Sequence, residues 1–458
     1  MALQRLSSGL VKYKNKILTA IIEAIESKLG ETVSITDFGA KCDGITDDTA
    51  AIHAALNSHY KKITMPEGTI IVSNLTLPTK SSYSLIGAGS GLTVIKATGT
   101  GVALSLDAFP DPEDSNQPFM YNVNLKGFSL TGDSYTIGID AQGVARSQWE
   151  DIRVNGSTKE ADSVGYRFSG CHLNRFTSIF TSYGDGDVPY TGILLRAGTR
   201  AHINVGGCSN NYFSHIYPEG NSIGLQLAAN GADQNVFDIG APEACKVYGQ
   251  VVGQGCRYNK FIGMGYENKD ATRASVADGG FYSSYESCYS NTLFRVDAQA
   301  RGLSIIKGYF DGISIQKGAI STEIKDITVG TWGLVDRVLA DLGTDTKVLN
   351  VFNGRTNKYL PPSSARVSVA VSNSPFAWTN ESHSPVKVLL YGGAVTKVSV
   401  GQPNETETSY DNWEEPKPLP ASFGGEARGV YILMPRQRIE ISHTNAPTMN
   451  VMPLRFMQ

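Results

Sequence analysis

The sequence predicts an all-β chain built round a parallel β-helix, and three observations predict it. An Asn recurs down the middle of the chain with a small residue three positions before it and an aromatic shortly after it, in "GCHLNRF", "GCSNNYF", "GADQNVF", "GCRYNKF" and "SCYSNTLF". The anchors Asn174, Asn211, Asn235, Asn259 and Asn291 are spaced by 37, 24, 24 and 32 residues, a period near 24 with two insertions, and upstream Asn124 and Trp149 fall in the same slot. Between the anchors lie short apolar strands punctuated by Gly and Asn, with neither a helical 3.6-residue pattern nor the dense L-x-x-L-x-L of leucine-rich repeats. Beyond about residue 362 the pattern changes to strict alternation in "ARVSVAVS", "VKVLLYGGAVTKVSV" and "GVYILMPRQRIEISH", which predicts a C-terminal antiparallel β-sandwich.

Each repeated residue has a physical reason in a coil. Equivalent positions of successive coils stack roughly 4.8 Å apart. Asn tolerates the left-handed backbone of a tight corner, and its amide can bond the amide of the next coil. The flanking Cys and Phe are expected to point inward as small and large core layers. The six cysteines include no C-x-x-C pair, so buried reduced thiols are expected, with no metal site and no cofactor.

A carboxylate has no such structural reason, yet Glu219, Glu243 and Glu267 each follow an anchor by eight residues. Three coils in succession therefore carry an acid on one face. Carboxylates that close repel, so the row needs cations, backbone donors or a raised pKa on one member; Lys246 and Lys269 lie near it in sequence. A solvated acidic ladder is one reading. The other is a glycosidase site, because retaining enzymes hold two carboxyls about 5–5.5 Å apart and inverting ones about 6.5–9.5 Å, and adjacent or alternate coils supply those spacings. An insertion after Asn174, "SYGDGDVPYTG", adds Asp185 and Asp187 as further catalytic candidates. Tyr183, Tyr190, Tyr217, Tyr266, Tyr282 and Tyr285 are candidate platforms for sugar rings.

The stretch "VSITDFGAKCDGITDDTAAIHAALN", followed by "KKITMPEGTIIV" and "YSLIGAGSGLTVI", predicts turns at Asp37–Gly39 and Asp43–Gly44. It also predicts a helix capped by Thr46 or Asp47, with Ile52, Ala55 and Leu56 on one side to plug the open end of the first coil. Capping is favoured over calcium binding for Asp43, Asp47 and Asp48. This stretch resembles the opening of pectate-lyase-like β-helix proteins, above all bacteriophage tailspikes and capsule depolymerases, although Cys42 stands where that family more often has Gly. The resemblance implies a right-handed β-helix, a homotrimer, attachment to phage tail or baseplate proteins, a place in the virion and a bacterial surface polysaccharide as the bound polymer. The Asn-Thr-Asp, Asp-Asp and Gly-His-Gly motifs of polygalacturonases are missing from the coils, as is the pectate-lyase Arg-x-Pro-x-x-Arg, so no catalytic residue is carried over by motif and a plant-wall pectinase is disfavoured.

The expected organisation is an N-terminal helix over 1–32, the β-helix with its cap over 33–335, a linker over 336–361 and the sandwich over 362–458. In the helix Val11, Leu18 and Ile25 alternate with Asn15, Ile22 and Leu29 as a heptad seam suited to a trimeric coiled coil or virion attachment. Its acidic residues Glu23 and Glu26 argue against a signal peptide, so synthesis in the host cytoplasm is expected. The acidic loop "NETETSYDNWEEPKPLP" of the sandwich carries Trp413, and that module is expected to lock a trimer or bind a glycan. With 40 basic and 43 acidic residues in no long runs, nucleic acid is an unfavoured partner, and no apolar run is long enough for membrane insertion. The expected function is recognition of a capsule, exopolysaccharide or O-antigen and its cleavage by glycoside hydrolysis. The alternatives are a non-catalytic spike and a polysaccharide lyase, in which Arg196, Arg200 or Arg273 would neutralise a uronate.

Overall fold

The computed structural model describes residues 14, 16–21 and 32–453 except 112, 157–162, 183–189, 201–202, 269, 271, 331–338, 360–366, 381–385, 392, 404–409, 413–428 and 434–436. The chain divides into two compact units, Met1–Thr292 and Leu293–Gln458.

The first unit opens with the expected cap. Ser34 and Asp37 form a reciprocal capping box round the 3-10 turn Ile35–Phe38, which Gly39 ends at φ 96°. The helix Thr49–Asn57 buries Ile52, Ala55 and Leu56 completely. Asp43 accepts from Ile45 N and from the Thr46 N and Oγ1, Asp47 from the Thr49 N and Oγ1, and the buried Asp48 from Lys41 N and Cys42 N. The three acids thus hold the turn that leads into the helix, but the helix N-cap is Asp48 and not the expected Thr46 or Asp47, and its carboxylate makes no capping bond because Lys41 N and Cys42 N already take it.

Parallel coils follow. Gln148, Arg175, Tyr212, Val236, Lys260 and Ser284 pair in one register from coil to coil. Along the corner just before this row, the Nδ2 of Asn174 donates to Asn211 Oδ1 at 3.0 Å, Asn211 to Asn235 at 2.9 Å and Asn235 to Asn259 at 3.0 Å. Each acceptor also takes the backbone N–H of the Asn before it, and each Nδ2 spends its second hydrogen on a carbonyl, so the ladder is saturated although fully buried. Two positions further on, Phe176, Phe213, Phe237, Phe261 and Tyr285 stack with centroids 4.4, 4.7, 5.0 and 4.7 Å apart. Cys171, Cys208 and Cys256 are buried and free beneath the corner.

The structure corrects several slots. The left-handed residue of the corner is the one before each Asn (Leu173, Asn210, Gln234 and Tyr258, φ 54–58°), not the Asn itself. Ser147 N donates to Asn174 Oδ1, so Ser147 holds the slot below Asn174, while Trp149 pairs with Phe176 in the aromatic column and Asn124 pairs with Gln148. Above Asn259, the pairing of Lys260 with Ser284 leaves the slot to Ser283; Asn291 instead accepts from Asn268 N at a different corner. Chain insertions between coils shift the spacing, and hydrogen bonding decides the slot.

In the second unit Ser304–Ile315 pairs in parallel with Glu323–Val329 and Leu339–Asp341, and Glu323–Val329 pairs with Lys347–Leu349 and Phe352–Asn353. The stretch expected as a linker therefore supplies strands to a further coil. Two four-stranded antiparallel sheets then follow. Val388, Leu390, Leu433 and Met449 of one meet Val398, Ile439 and Ile441 of the other in a shared core, which makes the expected sandwich. Of the N-terminal seam, Leu18 lies in a described helical turn and is exposed, as are Ile17 and Ile21; Val11, Asn15, Ile22, Ile25 and Leu29 lie outside the described residues, as does Trp413.

Candidate active site

Strand alternation builds the site. In Tyr212–Glu219 the side chains of Ile216 and Pro218 go into the core, leaving Tyr217 and Glu219 outside. Ser182 is the in-register neighbour of Glu219 on the preceding coil. On the following coils Gly220 N donates to Glu243 O at 2.9 Å and Glu267 N to Pro242 O at 3.3 Å. Glu219, Glu243 and Glu267 thus stand at three successive levels, as the sequence spacing required. Adjacent members are separated by about one coil rise, ~4.8 Å, and the outer two by about twice that.

Their surroundings differ. Glu219 is exposed, whereas Glu243 and Glu267 are half-buried. Burial, then the charge of Glu267, then that of Glu219 hold the Glu243 carboxyl above the ordinary carboxylate range. The protonated form of Glu243 is thereby favoured relative to an isolated carboxyl. Tyr289 lies over the same face and donates to Glu267 Oε1 at 3.3 Å; burial and the charges of Glu267 and Glu243 push its hydroxyl up to about 12. A side chain at Gly265, the register partner of Tyr289, would collide with the tyrosine ring. Glycine is therefore what lets the ring lie back across the coil.

A second outward row runs beside the acids, two residues earlier on each strand. It contains Arg153, Phe180 and Tyr217, paired in register, and continues at the next two levels through the small residues Ala241 and Gly265 to Tyr289. Phe180 and Tyr217 are stacked, with centroids 5.2 Å apart and planes at 13°. On the shelf between Tyr217 and Tyr289 the row thus holds only the small residues Ala241 and Gly265, both buried and the latter covered by the Tyr289 ring, with the carboxylates running alongside.

Of the expected platforms among the described residues, Tyr217 alone is on this shelf. Tyr266 is fully buried and donates to Gln250 Oε1 at 2.9 Å; Tyr285 is fully buried and donates to Asp278 Oδ2 at 2.6 Å; Tyr190 is 1% exposed. These three are core residues closed to a sugar, because alternation turns the neighbour of an outward residue inward. Tyr282 is 53% exposed and stacks on Tyr258 at 5.0 Å, but at the corner before the aromatic column, off the carboxylate face. Tyr183, Asp185 and Asp187 lie outside the described residues. Arg196 donates to Ser169 Oγ, Arg200 to Gln117 O, and Arg273 pairs with Asp270, so none of the three stands over the acid row. Sequence reading missed Arg153, Phe180 and Tyr289. The signal for Phe180 was its place six residues after Asn174, where Tyr217 follows Asn211; Tyr289 was hidden by assigning Asn291 to the ladder.

A cavity of about 650 Å³ lies elsewhere, lined by Thr32, His59, Lys61, Lys62, Ser82, Tyr83, Ser84, Asn122 and Asn124. Among the described residues its lining holds no carboxylate, whereas the open shelf carries three. Among the described residues no cluster of His, Cys, Asp and Glu is arranged to hold a metal ion.

Residues 32–241, just under half of the chain, match the family described as rhamnogalacturonase A/epimerase, pectate lyase-like. Over these residues the coil stack is similar to pectate-lyase-like proteins, and its fold is a parallel β-helix. The resemblance to phage tailspikes is borne out as well. The tail spike protein of an Escherichia phage is 49% identical over 73 residues, 16% of this chain and 9% of that protein. Depolymerase 1 of a Klebsiella phage, described as capsule-specific, is 25% identical over 165 residues, 34% of this chain and 19% of that protein. These matches span at most about a fifth of the relatives' own length. Among solved structures, the enzymatically active domain of tailspike protein 2 of bacteriophage CBA120 superposes with a TM-score of 0.51 at 11% identity, covering 93% of this chain and 77% of the other, a likeness of fold.

Proposed function

We propose that this β-helix is the polymer-binding and polymer-cleaving part of a phage tailspike, acting on a bacterial surface polysaccharide by glycoside hydrolysis. Glu243 is the general acid, and Glu219 or Glu267 is the carboxylate that acts as nucleophile or as base toward water. The observation that carries this reading is the half-buried Glu243 between two other carboxylates, its pKa raised by burial and by both neighbours. A general acid must be protonated at working pH while its partner is ionised, and environments that push two acids apart are what the chemistry needs. Adjacent levels suit a retaining pair and alternate levels an inverting one. The relatives support the setting: one is named a tail spike protein and another a capsule depolymerase. In this reading the protein is a homotrimer in the virion tail, attached to tail or baseplate proteins and acting at the host surface. Residues 1–32 serve assembly or attachment, 33–335 form the coils, 336–361 add the further parallel strands described above, and 362–458 lock the trimer or bind a glycan.

A receptor-binding spike without cleavage is the second reading, favoured by the polar cavity of the N-terminal coils, which lies away from the acid row. Purified protein applied to a panel of capsule and lipopolysaccharide preparations separates the two. New reducing ends without ultraviolet absorbance indicate hydrolysis. An unsaturated-uronate absorbance indicates a lyase, and binding without shortening of any polymer indicates the non-catalytic spike.

A further inference from the structure

The row beside the acids carries a charge of the opposite sign at one end. Arg153, on the outward side of strand Gln148–Asn155, is exposed. Its guanidinium lies 5.0 Å from the centroid of Phe180, which in turn stacks on Tyr217. Among the described residues no carboxylate forms an ion pair with Arg153, whereas Arg167 pairs with Asp140 and Arg295 with Asp297. Stacking on Phe180 orders the flat guanidinium while its N–H fork stays open to water, a geometry that suits bidentate bonding to a carboxylate or phosphate. The two rings continue from it toward the acids without a break.

The charges along this face therefore order a bound polymer. Near Glu219, Glu243 and Glu267 an anionic sugar is repelled, and a neutral ring on the shelf is tolerated. Arg153 stands two levels from Glu219 and three from Glu243, roughly 10 and 14 Å along the axis, both beyond the Debye length of about 8 Å at physiological salt. An anion held there does not add to the repulsion at the acids. Phe180 and Tyr217 give apolar faces for the sugars between.

We propose that Arg153, Phe180 and Tyr217 form a subsite for an anionic sugar, one bearing a carboxylate or a phosphate, in a chain that lies along the helix axis with its neutral sugars at the acid row. This rests on reading the acid row as the cleavage site, and the test separates the two. The probe is each capsular polysaccharide that the protein shortens in the panel, native, after carbodiimide–borohydride reduction of its carboxylates, and after removal of its phosphates with hydrogen fluoride. On native polymer R153Q is expected to raise KM about tenfold, the worth of one charge-assisted contact, with kcat changed less than twofold. Neutralising the responsible group brings the wild type to the level of R153Q, and which treatment does so tells carboxylate from phosphate. An R153Q KM equal to wild type, an equal loss on neutralised polymer, or a shortened polymer with no anionic group overturns the subsite. Where no polymer is shortened, the cleavage reading falls, and affinity electrophoresis of wild type and R153Q through gels holding the same capsules decides the subsite: selective loss of retardation by acidic capsules upholds it, and equal retardation overturns it.

Discussion

Tyr289 donates its hydroxyl to Glu267 Oε1 at 3.3 Å, and its ring lies across the bare backbone of Gly265. The contact fixes one member of the acid row in place without burying it. A hydrogen bond to a charged group is worth about 1.5–3 kcal/mol, so Y289F is expected to lower kcat by at least about tenfold. The same bond contributes to folding, so the thermal midpoint is expected to fall by a few degrees, with the fold intact at assay temperature. Full activity in Y289F, measured as reducing ends released, would separate the tyrosine from the site.

The raised Glu243 carboxyl sets a pH dependence. Its folded pKa lies above its unfolded one, so the protonated form is favoured in the fold, and both the stabilising contribution and the general-acid form are lost as pH rises through the folded value. The alkaline limb of the pH–rate profile is thus expected above the ordinary carboxylate range. E267Q and E219Q each remove one neighbouring charge and should move that limb to lower pH in the residual activity, E267Q more, since its charge acts on Glu243 more strongly. A limb that stays in place in both variants contradicts the assignment.

The Asn ladder fails if one rung is removed. Asn235 Oδ1 accepts from the backbone and the amide of Asn211, and its Nδ2 serves Cys208 O and Asn259 Oδ1, all buried. N235A leaves several of these groups unmet at about 1–3 kcal/mol each, partly recovered by relaxation. A loss of about 3 kcal/mol in urea denaturation is expected, and an unchanged midpoint would show that the ladder is not a source of stability.

The period, the Asn anchors and the Phe column were legible because a coil repeats one set of contacts, so one physical requirement is written several times. The acid row was legible for the opposite reason: Glu219, Glu243 and Glu267 recur where no core requirement explains them. Legibility ended where position depends on register. Trp149 and Asn291 were misassigned because insertions break the spacing, and only the bonds from Ser147 to Asn174 and from Asn268 to Asn291 fix their levels. Tyr266 looked like a platform because aromatic character is visible in sequence and facing is not. One residue from Glu267, it points inward to Gln250. Arg153 and Phe180 acquire meaning only once Tyr217 is stacked beside them.

The most direct test is the rate at which E243Q shortens a capsule that the wild type shortens, measured together with its retention of that capsule. Loss of a general acid costs about 10²–10⁴-fold, so E243Q is expected to lose cleavage by at least a hundredfold while still binding the polymer. Cleavage at the wild-type rate, with binding intact, would contradict the account.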